Sequence, residues 1–161
     1  LMAFEKQYGL KWLCFIPSTL YGPGFKEHDN HFIFDLIRKI YNGKHYDKEV
    51  ELWGDGYQRR ELIYVDDAIE AMLNLMNEEN EIFNLGSSRD LPIRHYADEI
   101  SSQIGYGSEK IIYNIEKYVG VRKRKLEVDK VQKLSLNYCK TSLEEGLRKT
   151  INFYHNNYGV K

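Results

Sequence analysis

The chain predicts an α/β fold, and three observations carry that prediction. Short apolar runs such as "KWLCFIP" (11–17) and "EIFNLG" (81–86) have the length and continuity of strands. Between them lie segments whose apolar residues recur at the 3.6-residue helical period. The two kinds of segment alternate along the chain, the pattern of a layered α/β protein.

Taken in order, residues 1–8 read as the end of a helix closed by Gly9. Residues 11–17 read as a parallel strand buried on both faces. "PSTLYGPG" (17–24) follows as a Gly/Pro-rich turn. Asn30 can cap a helix with Ile33, Leu36, Ile37 and Ile40 on one face and Gly43 as its stop. "VELW" (50–53) and "RELIYV" (60–65) alternate like strands around the turn "GDG". Asp66 or Asp67 then caps a helix carrying Ile69, Met72, Leu73 and Met76. After the strand at 81–86, Ile93, Tyr96, Ala97, Ile100 and Ile104 share one helical face, with Pro92 where a first turn tolerates it. "KIIYNI" (110–115) is a further strand. Thr141 and Glu144 have capping-box spacing for a last helix with Leu143, Leu147, Ile151, Tyr154 and Tyr158 inward.

Composition narrows the function classes. The 161 residues suffice for one modest domain with a real core. Lys plus Arg number 23 against 24 Asp plus Glu, so no global charge draws the chain to nucleic acid or to an anionic membrane. Aromatics at 14% argue for a packed chain over a disordered one. The two cysteines, Cys14 and Cys139, are far apart and outside any CxxC. They give neither a disulfide framework nor a zinc signature, so no metal site is expected and a reducing compartment fits. No stretch has the apolar length of a membrane span, and "LMAFEKQYGLKW" lacks the pattern of a signal peptide. The first residue falls inside a helix-like pattern and reads as a cut.

Candidate chemistry gathers at a few points. Ligands of open α/β sheets bind outside the carboxyl ends of the strands, where "PSTLYGPG" stands. The same residues also suit an ordinary strand-to-helix connection. His31 falls at a helix start, where exposed amides favour a neutral imidazole able to move protons. It is equally a surface helix-start residue, with His28 and His45 as rivals. Arg59 and Arg60 enter a strand, where neighbours face opposite sides, so only one can point into a given cleft. A guanidinium fork suits a diphosphate, while a surface pair bridged to Glu61 or Asp66 is the plainer alternative. "RKRK" (122–125) lacks the surrounding basic surface that nucleic acid needs, leaving a solvated loop or a phosphate clamp.

As an ordered set, "PSTLYGPG", "HFIFDLIRKI", "VELWGDGYQRRELIYVDDAIEAML" and "FNLGSSRDLPIRHYADEI" resemble the second half of an extended short-chain dehydrogenase/reductase. The likeness covers nearly the whole chain and is greatest to the GDP-L-fucose synthase group of nucleotide-sugar epimerase/reductases. It implies the carboxy-terminal part of a Rossmann-type fold with a smaller mixed α/β substrate-binding domain. Residues 1–22 would be a remnant of the dinucleotide-binding domain, and 23–161 the nucleotide-sugar region, with 66–86 returning to the Rossmann half.

The resemblance also implies roles. His31 would be an acid/base of the epimerisation. Pro17, Ser18 and Leu20 would pass the nicotinamide end of the cofactor, NADP or NAD. Trp53 and Arg60 would line the nucleotide-diphosphate pocket, Arg38 or Lys39 would face the substrate phosphates, and Lys125, within an offset of one, would lie near the nucleotide. The implied partner is a GDP-linked sugar, in a cytoplasmic protein that could be a homodimer and has no nucleic-acid or membrane partner. Thr19 departs from the Asn usual at that place in the family. No GxxGxxG follows a first strand, no catalytic Ser or Thr stands ahead of a YxxxK pair at the family's place, and no cysteine is in the partner's position; in the family these parts lie upstream. Two other readings stay open: a fragment of a different nucleotide-sugar 4-epimerase or 4,6-dehydratase, and a non-catalytic nucleotide-sugar-binding module.

Overall fold

A computed structural model describes residues 1–134 and 137–159. Helix α1 (Met2–Tyr8) ends at Gly9, whose φ of 65° suits glycine, and buries none of its side chains. Strand β1 (Leu13–Pro17) pairs in parallel with β5 (Glu81–Leu85), Cys14 opposite Ile82 and Phe15 opposite Phe83. Because alternate residues share a face, Phe83 and Leu85 point into a core while Ile16 and Ile82 point the other way, 44% and 42% exposed. The run read as buried on both faces is therefore covered on one.

"PSTLYGPG" contains a strand that the turn-like composition hid. The Ser18 amide still donates to the Leu85 carbonyl at 2.7 Å, in register with β1, and the chain then changes sheets. Strand β2 (Thr19–Tyr21) pairs in parallel with β4 (Arg59–Tyr64). Strand β4 also pairs with β6 (Asp90–Pro92), antiparallel, and with β8 (Lys123–Arg124), parallel. The "GDG" turn closes no hairpin: β3 (Val50–Trp53) pairs in parallel with β7 (Ile111–Asn114), in a separate sheet from β4.

Helix α2 (Phe32–His45) buries Ile33, Leu36, Ile37 and Ile40, as the periodicity requires. Its N-cap is His31, one residue beyond Asn30, and it runs through Gly43. Gly43 is a contact rather than a stop. A Cβ there would lie 2.5 Å from Val50 Cγ2, so only glycine lets α2 approach β3 this closely.

Helix α3 (Val65–Asn74) starts from Tyr64, not from Asp66 or Asp67. It turns Ala68 and Ala71 to the sheet and leaves Ile69, Leu73 and Met76 exposed. Two stripes of helical period coexist on α3, and the alanines allow the closer approach. Helix α4 (Ile93–Ile104) follows, capped by Pro92. Helix α5 (Asp129–Lys133) had no sequence signal.

Helix α6 (Leu143–Tyr158) buries Leu147, Ile151 and Tyr154. Its cap sits one residue later than expected: the Glu145 amide donates to Ser142 Oγ at 3.1 Å. Thr141 instead donates its amide and hydroxyl to the buried Asp67 carboxylate, at 3.0 and 2.9 Å.

Strand β4 separates two cores. Leu62 and Tyr64 point into the larger, built from α2, α4 and α6 with Val50, Leu52 and Ile111. Ile63 points into the smaller, with Ala68, Ala71, Leu75, Phe83, Leu85, Val131 and Tyr138. Among the described residues no helix is long and apolar enough to cross a membrane.

Candidate functional site

An open cleft of about 620 Å³ lies between α2 and the β3-to-β4 connection, with Asp35, Lys39, Trp53, Gln58 and Arg60 in its lining. Each of these side chains is placed by an element already described. Asp35 and Lys39 are one helical turn apart and pair at 3.1 Å. Trp53, at the end of β3, alternates outward from buried Leu52 and is 55% exposed. The Lys117 ammonium stands 5.9 Å from its ring centroid. Gln58 ties the connection down by donating to the Trp53 carbonyl at 3.0 Å.

The two arginines separate as strand alternation demands. Arg59 donates through Nε to Asp90 on β6 at 2.7 Å, holding that carboxyl below its ordinary range. Arg60 lines the cleft, its guanidinium braced on the Arg59 and Val121 carbonyls at 2.8 and 2.7 Å. Burial first, and the neighbouring Arg124 second, pull its pKa below the ordinary value. A cation disfavoured by burial and by a like charge is stabilised when an anion arrives.

Arg60 also belongs to a narrower gap lined by Pro17, Ser18, Thr19, Arg124 and Lys125. The buried Ser18 Oγ finds no partner among the described residues. The loop carrying Lys125 is fixed from beneath by Glu61, a buried carboxylate that accepts the Ser88 and Leu126 amides at 2.7 and 2.8 Å. Gly86 leaves the space for it, since a Cβ there would sit 2.5 Å from Glu61 Oε1.

Of the residues singled out in the sequence, Lys39, Trp53 and Arg60 thus meet in one cleft. Pro17, Ser18 and Lys125 meet in the adjoining gap, and Arg60 joins the two. Arg38 is not in the lining: it donates to the Glu27 carbonyl at 2.9 Å and to Asp35 at 2.6 Å. Leu20 packs against the smaller core. His31 occupies the N-cap position of α2 without a side-chain cap, and its amide donates to Asp29 Oδ1 at 3.1 Å. Its neighbours Asn30 and Phe32 line the cleft, while its own ring lies 5.5 Å from Phe34. Burial lowers the His31 pKa, against a smaller upward pull from Asp29, and its buried Nδ1 has no partner among the described residues.

Sequence reasoning missed Asp35, Gln58 and Glu61. Gln58 stands inside the quoted "WGDGYQRR", and Glu61 is a lone carboxylate inside an apolar strand, which was a legible signal.

A further cavity of about 360 Å³ holds Asp67, Arg89, His95, Cys139 and Thr141 in its lining. Cys139 is exposed as a residue, and partial desolvation of its thiol, then Asp67 and Glu61, raise its pKa. Among the described residues no group of three His, Cys, Asp or Glu side chains could hold a metal ion.

Comparison with known proteins gives this geometry a family. Residues 1–86 match the model of the NAD dependent epimerase/dehydratase family. A probable GDP-L-fucose synthase 1 of Oryza sativa is 29% identical over 160 residues, covering 96% of this chain and 48% of that protein. The GDP-L-fucose synthase of Escherichia coli is 28% identical, covering 96% of this chain and 52% of its own length. The crystal structure of a UDP-glucose 4-epimerase from Thermotoga maritima with UDP-glucose superposes with a TM-score of 0.83 at 29% identity, over 96% of this chain and 49% of that one. The chain spans about half the length of the curated relatives it matches.

Proposed function

The chain belongs to the NAD dependent epimerase/dehydratase family, and from that premise we propose that it is the substrate-binding half of a nucleotide-sugar epimerase/reductase of the GDP-L-fucose synthase kind. The observation that carries the reading is the convergence of Lys39, Trp53 and Arg60 on one cleft. A nucleoside diphosphate presents a flat base and a doubly charged linker. An exposed indole suits the first, and a guanidinium held next to a second cation suits the other. The kind of relative supports GDP over other nucleotides, since both rice and E. coli matches are named GDP-L-fucose synthases.

Two further features support the reading of this chain as one half. Ile16 and Ile82 form an uncovered apolar sheet face. Ser18, whose buried hydroxyl has no partner among the described residues, directly follows Pro17 at the end of strand β1. Pro17 and Ser18 would hold the reactive end of a nicotinamide cofactor, NADP or NAD, and that cofactor supplies hydride chemistry when bound. His31 would take and return protons beside the substrate ketone: burial lowers its pKa and so favours the neutral ring that a general base requires.

The test is calorimetric titration of the chain with a GDP-hexose, with GMP and with guanosine. Binding should strengthen in the order guanosine, GMP, GDP-hexose, by about tenfold or more for the added phosphate, the scale of a charge-assisted hydrogen bond. Equal affinities, or none, overturn the reading.

A further inference from the structure

The cleft continues past Trp53. A second hollow of about 420 Å³ shares Lys39 and Trp53 with it and adds Asn42, Tyr46, Glu49 and Glu51 to the walls. Trp53 and Glu51 are two residues apart on β3, so both point to the same exposed face, while Val50 and Leu52 are buried behind them. One carboxylate oxygen of Glu51 accepts from Asn114 Nδ2 on β7 at 3.2 Å. An ionised carboxylate offers about four lone-pair sites, so Glu51 keeps accepting capacity toward the hollow.

From this juxtaposition we propose that Glu51 selects the base of the bound nucleotide and that the base it selects is guanine. The inference rests on the GDP reading of the cleft and adds to it the residue that reads the base. With the phosphates on the Arg60 and Lys39 side, a base lying on Trp53 presents its edge to Glu51. The indole is 55% exposed, which leaves surface for a base to stack on. A carboxylate needs adjacent donors. Guanine supplies them at N1–H and the 2-amino group, and its O6 can accept a hydrogen bond from the Asn42 amide. Adenine has an acceptor at N1, and uracil flanks its single N–H with two carbonyl oxygens, so both set a lone pair against the carboxylate. The discrimination is therefore repulsive as well as attractive.

The experiment is titration of the chain and of Glu51→Gln with GDP, IDP, ADP and UDP. The wild-type chain should bind GDP about tenfold to a hundredfold more tightly than ADP or UDP, with IDP, which lacks the 2-amino group, in between. In Glu51→Gln the GDP affinity should fall toward that of ADP while UDP binding holds or improves, because the repulsion is gone. If the four ligands bind with the same ratios in both proteins, or all weaken together in the variant, Glu51 does not select the base and the proposal fails while the diphosphate cleft stands. If none of the four binds the wild-type chain, the cleft reading itself fails and the base assignment falls with it.

Discussion

Arginine 60 can be tested against its own neighbour. The two side chains leave β4 on opposite sides: Arg59 meets Asp90 at 2.7 Å, and Arg60 reaches the cleft from a brace of two carbonyls. Replacing either by Lys keeps the charge and removes the planar fork. Arg60→Lys would remove the bidentate hold proposed for a phosphate, and hydrogen bonds to charged groups contribute about 1.5–3 kcal/mol. That predicts GDP binding weakened by about 10- to 150-fold with little change in stability. For Arg59→Lys the pair with Asp90 survives in a poorer geometry. Arg59 is 41% exposed, so solvent screening limits the loss to about 1 kcal/mol of stability, with GDP affinity within about twofold. The assays are calorimetric titration with GDP and urea denaturation of the same three proteins. Equal losses of affinity in the two variants would refute the argument from strand alternation. An unchanged Kd in Arg60→Lys would remove Arg60 from the binding site altogether.

Three shorter predictions follow from the same contacts. Ser142→Ala should lower stability by about 1 kcal/mol, since Ser142 caps α6, and Thr141→Ala should act separately by baring the Asp67 carboxylate; equal behaviour of the two under denaturant with Asp67→Asn as background would contradict their separate roles. Gly86→Ala should cost about 1–3 kcal/mol in a thermal or urea melt, because its Cβ enters the space of Glu61, which two amides hold in place. Burial lowers the His31 pKa from 6.5, so the folded state favours the neutral ring; its stabilisation is complete above about pH 6.5 and is lost as pH falls below that value, and His31→Asn should flatten the urea midpoint over that range, a wild-type slope in the variant counting against burial as the cause.

How much of this was legible in the sequence depended on whether a feature is local. The face of α2 and the strand character of 11–17 and 81–85 were, because periodicity and apolar continuity are properties of neighbouring residues. The opposite faces of Arg59 and Arg60 were legible for the same reason. What failed was pairing. Nothing in "GDG" says that β3 turns to β7 rather than to β4, and nothing in "PSTLYGPG" says that the chain leaves one sheet for another at Ser18. Gly43 read as a helix stop because glycine's local meaning is termination, whereas its role is set by Val50, brought from another element. The stripe on α3 failed in part: Met72 packs against the smaller core, but Ile69, Leu73 and Met76 stay exposed and the sheet accepts Ala68 and Ala71.

The same distinction explains the shape of the site. Its charged residues come from three separate stretches, Lys39 from α2, Arg60 from β4, and Arg124 and Lys125 from β8 and the residue after it, and a fourth, the end of β1, adds Pro17 and the following Ser18. Glu61 ties the stretch after β8 to β4. Its neighbour Arg60 faces the cleft, so Glu61 faces inward by strand alternation, where its burial demands hydrogen bonds. It finds them in the amides of Ser88 and Leu126, and the second of these fixes the chain immediately after Lys125. One strand residue therefore presents the guanidinium, and the next anchors the loop that brings the second basic group alongside. Glu61→Gln tests the coupling, since the amide oxygen can satisfy only one of the two donors while its NH₂ opposes the other. GDP affinity should then fall with Arg60 itself untouched, and a variant that loses stability but keeps wild-type GDP affinity would show that the buried carboxylate holds the fold without organising the site.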